Sequence, residues 1–383
     1  VGDAISRMLK VNQGERLTLI SAGAGAGLAA AFNAPLSGLI FVLEEVRRDF
    51  QPIMFGAAFI AAVIADIITR IGSGQFPVFL VPAYPTPPLG SLPIFVVLGI
   101  VTGIMGVVFN KSLIGIMNLF SKVPGKMKLP LVAVVGGLIG LVGWFSADLI
   151  GSGHTLAESV LKGNVLLPVI LVFILARFIM IHLSYGTGAP GGIFAPLLVL
   201  GALIGLAVGI IGKHFFPSLV PIPAVFAVVG MAAYFAAIVR APLTGIMLIV
   251  EMTGNYSQML PLLVSCFCAY IVAEIFRDLP IYEALLERDL QRGNNASPLK
   301  EPVVVEYVVE PGSKFDGQTL NSLGLPAGCI LVRCSDGKRE WVPKANTRLD
   351  AHMKFTAVIS PEASDGVEIL HDGCISPHKA NKL

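Results

Sequence analysis

The chain has 383 residues, 55% of them apolar and only 14% charged, with a net charge of +2 and a mean hydropathy of +0.78. This composition excludes disorder and argues against an ordinary soluble domain, in which about a quarter of residues carry charge. The scattered basic residues also argue against nucleic acid as a partner. Uncharged runs over Leu17 to Leu43, Leu89 to Asn110, Leu129 to Ala147, Phe178 to Gly212, His214 to Val239 and Met252 to Ala273 mostly reach the ~20 residues that span a bilayer. The expected partner is therefore lipid, and the expected spans are helices, because a backbone in hydrocarbon must satisfy its own hydrogen bonds.

In chain order, the first segment of note is Gly23 to Glu44, which aligns without a gap with Gly230 to Glu251, 207 residues on. Ala34, Pro35, Leu36, Gly38 and Glu44 meet identical residues at Ala241, Pro242, Leu243, Gly245 and Glu251, and Ser37 meets Thr244. The prolines predict that each copy is a helix broken into a long piece and a short apolar one. Paired broken segments in the two halves of a membrane chain point to a transporter site at a repeat interface. The glycine-rich break Gly186 to Pro196 would have its partner upstream of Val1, so the chain is expected to begin inside the fold.

Glu44 and Glu45 close the first copy, where the helix dipole disfavours negative charge. Glu44 has a repeat partner and reads as a structural carboxylate, capping backbone or pairing with Arg47 or Arg48. Glu45 aligns with Met252, so symmetry does not account for it. Asp66 and Arg70 are spaced to pair along one helix. Ser73 to Pro93 reads as an extramembrane loop, and Leu92 to Phe120 as a helical pair interrupted at Asn110-Lys111. The glycines between Leu131 and Trp144 suit close helix packing. Arg70, Arg177 and Arg240 each flank a segment end, where guanidinium can tie down free carbonyls or reach the interface.

Gly188-Ala189-Pro190-Gly191-Gly192-Ile193-Phe194-Ala195-Pro196 opens an apolar helix. Two readings stand. Its glycines and free N–H groups could hold an anion at a helix start without a full positive charge, or it is a glycine-rich helix crossing. Tyr282, after Pro280, is either a neutral hydroxyl donor or an interfacial anchor. Cys266 and Cys268 read as packing, and Cys329, Cys334 and Cys374 suggest a reducing surrounding for the tail. No metal or cofactor ligand set is apparent. No Walker loop, Gly-x-Ser-x-Gly or His-Glu-x-x-His is present, which argues against an enzyme; nor is a carbonyl-filter sequence for potassium.

Charge density rises along the chain, from 30 charged residues in the first 290 to 22 in the last 93. A boundary near Gln291 follows, with Gly293 to Pro298 as a polar linker. Beyond it, VVVEYVV, CILVRC, EWVP and FTAVIS read as strands, LNSLGLP as a short helix and turn, and Ser335 to Lys338 as a hairpin turn.

Gly192-Ile193-Phe194-Ala195-Pro196, Phe32 to Gly38 with Glu44-Glu45, Arg240 to Gly245 with Glu251-Met252-Thr253, and Leu279-Pro280-Ile281-Tyr282 together resemble the CLC chloride channel and transporter family. The resemblance covers residues 1 to about 290. It implies an all-α polytopic membrane fold with inverted-topology repeats and broken helices, assembled as homodimers with one pore per subunit. It implies an anion held by the amides of Ile193 and Phe194 after Gly192 and by the Tyr282 hydroxyl, and a proton-transfer glutamate at Glu45. Chloride and protons are then the transported ions, in exchange, with a passive chloride channel as the alternative. Gly151-Ser152-Gly153-His154 is set aside as a match to the family's Gly-Ser-Gly-Ile-Pro motif, because it lacks the Ile-Pro and lies in the second half. The tail resembles the TrkA-C (RCK-C) subdomain through Gly317 to Pro326, with His352-Met353 at the usual Gly-Asp. That likeness implies a cytoplasmic α/β module, either dimer-stabilising or sensing a small-molecule or nucleotide effector. The expected organisation is a transport domain over 1–290, a linker over 291–302 and a regulatory domain over 303–383.

Overall fold

The computed structural model describes residues 1–11, 13–48, 50–75, 77–189, 191–293, 303–337, 339–360, 363 and 365–374. Pro190 in the glycine-rich break, residues 294–302 of the expected linker and Lys338 in the expected hairpin turn lie outside them. The chain divides into two compact units, Val1–Leu286 and Glu287–Leu383.

The first unit is helical. In order it contains α1 (Gly2–Leu9), α2 (Gln13–Phe32), α3 (Pro35–Phe41), α4 (Pro52–Ser73), α5 (Leu92–Ser121), α6 (Gly125–Phe145), α7 (His154–Leu161), α8 (Leu167–Gly186), α9 (Phe194–Phe215), α10 (Ala224–Val239), α11 (Pro242–Thr253), α12 (Met259–Ile275) and the start of α13 (Ile281–Gly293), a helix that runs past the unit's last residue, Leu286. The helix of α3 continues into a π-helical turn over Val42–Val46. Among the described residues, α4, α5, α6, α8 and α9 are long and apolar enough to cross a membrane, whereas α10, α11 and α12 are apolar but shorter.

Every residue of α10 is buried, so this helix is the axis of the unit. Small residues let its neighbours approach. A Cβ added at Gly205 on α9 would overlap the Phe226 carbonyl of α10, and one at Gly201 would lie 2.9 Å from the Met231 Cα. On the other flank, a Cβ at Gly99 of α5 would stand 2.6 Å from the Cys268 Cβ of α12. Close backbone contact of this kind is how helices associate where lipid offers no hydrophobic drive.

Two expectations need correction. Residues 92–121 form one continuous helix of 30 residues with no interruption at Asn110-Lys111. The polar side chain there is satisfied laterally, Asn110 Nδ2 donating to the Ile238 and Leu279 carbonyls and to Asp278, so the helix ladder need not open. The glycines of α6 do not mediate close helix-to-helix packing within the described residues: Gly136, Gly137 and Gly140 have open space where a Cβ would stand, Gly143 is tight only against the Ile150 side chain of the following loop, and Leu129, Leu141 and Trp144 on the same helix are exposed.

The second unit is a four-stranded antiparallel sheet in the order β1-β4-β2-β3. Its strands are β1 (Val303–Val308), β2 (Cys329–Ser335), β3 (Glu340–Trp341) and β4 (Lys354–Ile359), followed by α14 (Asp365–Cys374). Alternation sends Phe355, Ala357 and Ile359 of β4 inward, where they join Val309, Phe315, Leu331 and Leu370 in one core. The sequence reading missed α14, whose short run opens beyond Pro361 and includes Gly366. His352 sits at φ 68, the left-handed turn that glycine adopts at lower cost. Cys374 belongs to this core, and burial pushes its thiol up to about 12, far from the thiolate that would make it reactive.

Candidate functional site

The two repeat copies meet through their carboxylates. Glu251, near the end of α11, accepts the backbone N–H groups of Leu36 (3.0 Å) and Ser37 (2.8 Å) and the Ser37 hydroxyl (2.5 Å) at the start of α3. Glu44 does the same for the start of α11, accepting from Leu243 N (3.0 Å), Thr244 N (2.7 Å) and Thr244 Oγ1 (2.7 Å). Pro35 and Pro242 stand at the first helical turn, where the missing N–H is no loss. The next two N–H groups have no intrahelical partner, and an anion there is favoured by the dipole. A contact in which each partner repeats the other's role is the mark of a two-fold relation, here within one chain. Glu44 is thus a structural carboxylate, but its partners lie about 200 positions away rather than at Arg47 or Arg48.

Glu45 points elsewhere. It lies in the π-helical turn, closed by Arg47 N donating to Val42 O at 2.9 Å, and such turns recur at functional positions. Its side chain is 7% exposed and its Oε2 lies 3.5 Å from Arg48 Nη2, while Arg48 Nη1 pairs with Glu283.

The start of α9 is the second half of the site. Ile193 is buried and accepts Leu197 N at 3.0 Å; no side chain caps the N–H groups that follow it. The Phe194 ring gathers four elements: Phe32 at 6.0 Å, Phe41 at 5.7 Å edge-on, Phe235 at 5.0 Å and Tyr282 at 6.2 Å between ring centroids. The phenol of Tyr282 has Tyr185 and Glu45 as electrostatic neighbours. Of the residues singled out in the sequence, Ile193, Phe194 and Tyr282 therefore converge, with Glu45 beside them. Gly192 is exposed and faces open space, on a cavity of about 300 Å³ lined also by Gly191, Ile193, Ser152, Arg177 and Tyr185.

Arg177 shapes that cavity. Only 1% exposed, it donates to the carbonyls of Asp148 (2.7 Å), Ile150 (3.2 Å) and Gly151 (2.9 Å), which is the carbonyl-tying role expected of it. The stretch set aside in the sequence, Gly151 to His154, is the loop wrapped on this guanidinium. Gly153, at φ 73, has no room for a Cβ beside Arg177 Nη2, so glycine is required there on two counts. Arg240 ties down a second turn through Glu274 (Nε to Oε1, 3.2 Å) and the Asp278 carbonyl (3.2 Å). Together with Asn110 it holds the peptide that leads into Pro280 and Tyr282. The sequence reading missed Asn110 and Asp278 as positioning groups, although two polar residues in apolar surroundings were the available signal.

Residues 1–274 match the family model for voltage gated chloride channels. The chain belongs to that family. It is 42% identical over 297 residues to an H(+)/Cl(-) exchange transporter ClcA of Vibrio cholerae serotype O1, an alignment covering 76% of this chain and 64% of the relative. The chain thus spans about 64% of the length of that curated relative. A crystal structure described as a slow cyanobacterial Cl-/H+ antiporter superposes with a TM-score of 0.73 at 38% identity, covering 76% of this chain and 69% of that one. A CLC-type fluoride/proton antiporter shares the fold alone, with a TM-score of 0.61 at 20% identity over 74% of this chain and 69% of that one. Residues 304–368 match the TrkA-C domain model.

Proposed function

We propose that this chain moves chloride across a lipid bilayer in exchange for protons, and that it does so without a cofactor and without catalysing a covalent reaction. Residues 1–290 form the transport domain, residues 291–302 a linker and residues 303–383 a cytoplasmic regulatory module open to a small-molecule or nucleotide effector. The protein works as a homodimer. The observation that carries the reading is the meeting of an uncapped helix start with a phenol and a buried glutamate. Amides of Ile193 and Phe194, beside the space left by Gly192, offer partial positive charge to an anion. Tyr282 adds one directed donor. Arg177, which lines the adjoining cavity, is committed to the carbonyls of Asp148, Ile150 and Gly151, and conduction needs binding weak enough to release the ion. Glu45, an electrostatic neighbour of the Tyr282 phenol, is the carboxylate that carries the proton, as intramembrane carboxylates on proton paths do. The exchange activity in the names of the relative and the cyanobacterial structure supports the same reading.

The test is made in vesicles. A chloride gradient is expected to drive protons uphill through the wild-type protein, and Glu45→Gln to slow that proton movement at least tenfold while chloride still passes. Chloride flux with no proton movement in the wild type would make the protein a passive channel instead. For the anion site, bromide soaked into crystals is expected to give an anomalous peak within hydrogen-bond reach of the Ile193 and Phe194 amides, with lower occupancy in Tyr282→Phe. A peak elsewhere refutes the cradle.

A further inference from the structure

We propose that Glu283, held by Arg48, is the acid through which protons pass between solvent and Glu45. The inference rests on the exchange reading above. Three side chains carry it. Exposure rises from 7% at Glu45 to 37% at Glu283 and 51% at Arg48, so Glu283 can meet water that Glu45 cannot. Arg48 touches both carboxylates, one with each terminal nitrogen, at 3.5 Å from Glu45 and in tight contact with Glu283. Arg48 also holds φ 52, a backbone region that residues other than glycine seldom enter. Such conformations persist where surrounding contacts over-determine them, and they cluster at functional positions.

Charge counting gives the mechanism. A guanidinium stays protonated throughout, so Arg48 cannot itself relay a proton. One positive charge between two carboxylates leaves a net charge of −1, and a single proton shared by the pair brings it to zero. The pair then has two arrangements. In one, Glu283 carries the proton and Arg48 pairs with ionised Glu45. In the other, the Glu283 carboxyl has given its proton to Glu45 Oε2, directly or through water, and the new Glu283 carboxylate takes Arg48. Neutral Glu45 is thereby released from Arg48, towards Tyr282. Glu283 regains a proton from solvent, and the cycle balances. Glu44, the remaining carboxylate beside Glu45, is committed to the start of α11 and does not compete. The plain alternative is that Glu283 is an acid in the first turn of α13 whose partly exposed ion pair contributes little.

The experiment compares protons and chlorides moved by the full chain in vesicles. Glu283→Gln leaves Arg48 with Glu45 alone, locks that carboxylate ionised, and is expected to raise the chloride-to-proton ratio at least threefold. Removing the lock as well, in Glu283→Gln with Arg48→Gln, is expected to bring the ratio back towards wild type, and Glu283→Asp to keep it there. An unchanged ratio in Glu283→Gln overturns the proposal, as does a proportional loss of both fluxes or a double variant no better than the single. Glu45→Gln in the same series separates the two levels. If the wild type moves chloride without protons, the exchange reading fails; if Glu45→Gln keeps proton movement, Glu45 is not the transfer group; if Glu45→Gln abolishes proton movement while Glu283→Gln changes nothing, only the relay fails.

Discussion

Glu251→Ala is expected to destabilise the membrane unit by about 3 kcal/mol or more, because it strips two backbone donors and a hydroxyl of one charged acceptor. Hydrogen bonds to charged groups are worth about 1.5–3 kcal/mol, and at Ser37, which is fully buried, a donor left alone costs about 1–3 kcal/mol. The N–H groups of Leu36 and Ser37 stand at the first turn of α3, where no intrahelical acceptor exists. Glu44→Ala is expected to cost a similar amount through Leu243 and Thr244. Because both act across the same pair of helices, the double variant should depart from additivity by more than about 0.5 kcal/mol. Thermal unfolding in detergent, followed by retention of the monodisperse peak, measures all three. Glutamine should lie between, keeping one oxygen but presenting N–H where a second acceptor is needed. A Glu251→Ala protein with wild-type thermal stability would remove the reciprocal caps from the account of this fold.

The other large effect is expected at Gly205. Leucine there must displace the Phe226 carbonyl and the Ala227 Cα, the latter only 3.0 Å from where a Cβ would stand. Both are backbone of α10, a helix with no exposed residue, so nothing nearby can give way. Overpacking a well-packed core usually costs about 1–3 kcal/mol through side-chain shifts; a clash with enclosed backbone should exceed the ~4–5 kcal/mol that marks exceptional substitutions. Gly205→Leu is therefore expected to yield no monodisperse protein. Gly136→Leu is the internal comparison. Its Cβ would meet open space, and its effect should stay within about 0.5 kcal/mol.

Much of this architecture was legible before any coordinates. The repeat offset located both broken helices, because proline and glycine act on local backbone whatever surrounds them. The same alignment paired Glu44 with Glu251 as equivalents, yet could not say that each serves the other's copy; a partner about 200 positions away is a tertiary fact. Local reading failed where lateral contacts decided the outcome. Asn110 looked like a break and is a cross-link to the turn before Pro280. The α6 glycines looked like a face for packing helices, yet Gly136, Gly137 and Gly140 meet nothing among the described residues and Gly143 meets only the Ile150 side chain. Arg48 was legible only as a candidate partner of Glu44 and Glu283 not at all, since two charges 235 positions apart become a pair only once the chain is folded.

The reciprocal carboxylates also constrain how the molecule is made. When Ser37 is added to the growing chain, its acceptor is still 214 positions from being translated. At ~5–20 residues per second, the start of α3 waits on the order of 10–40 s for Glu251. The nascent half must spend that interval with those amides wetted or borrowed by the insertion machinery.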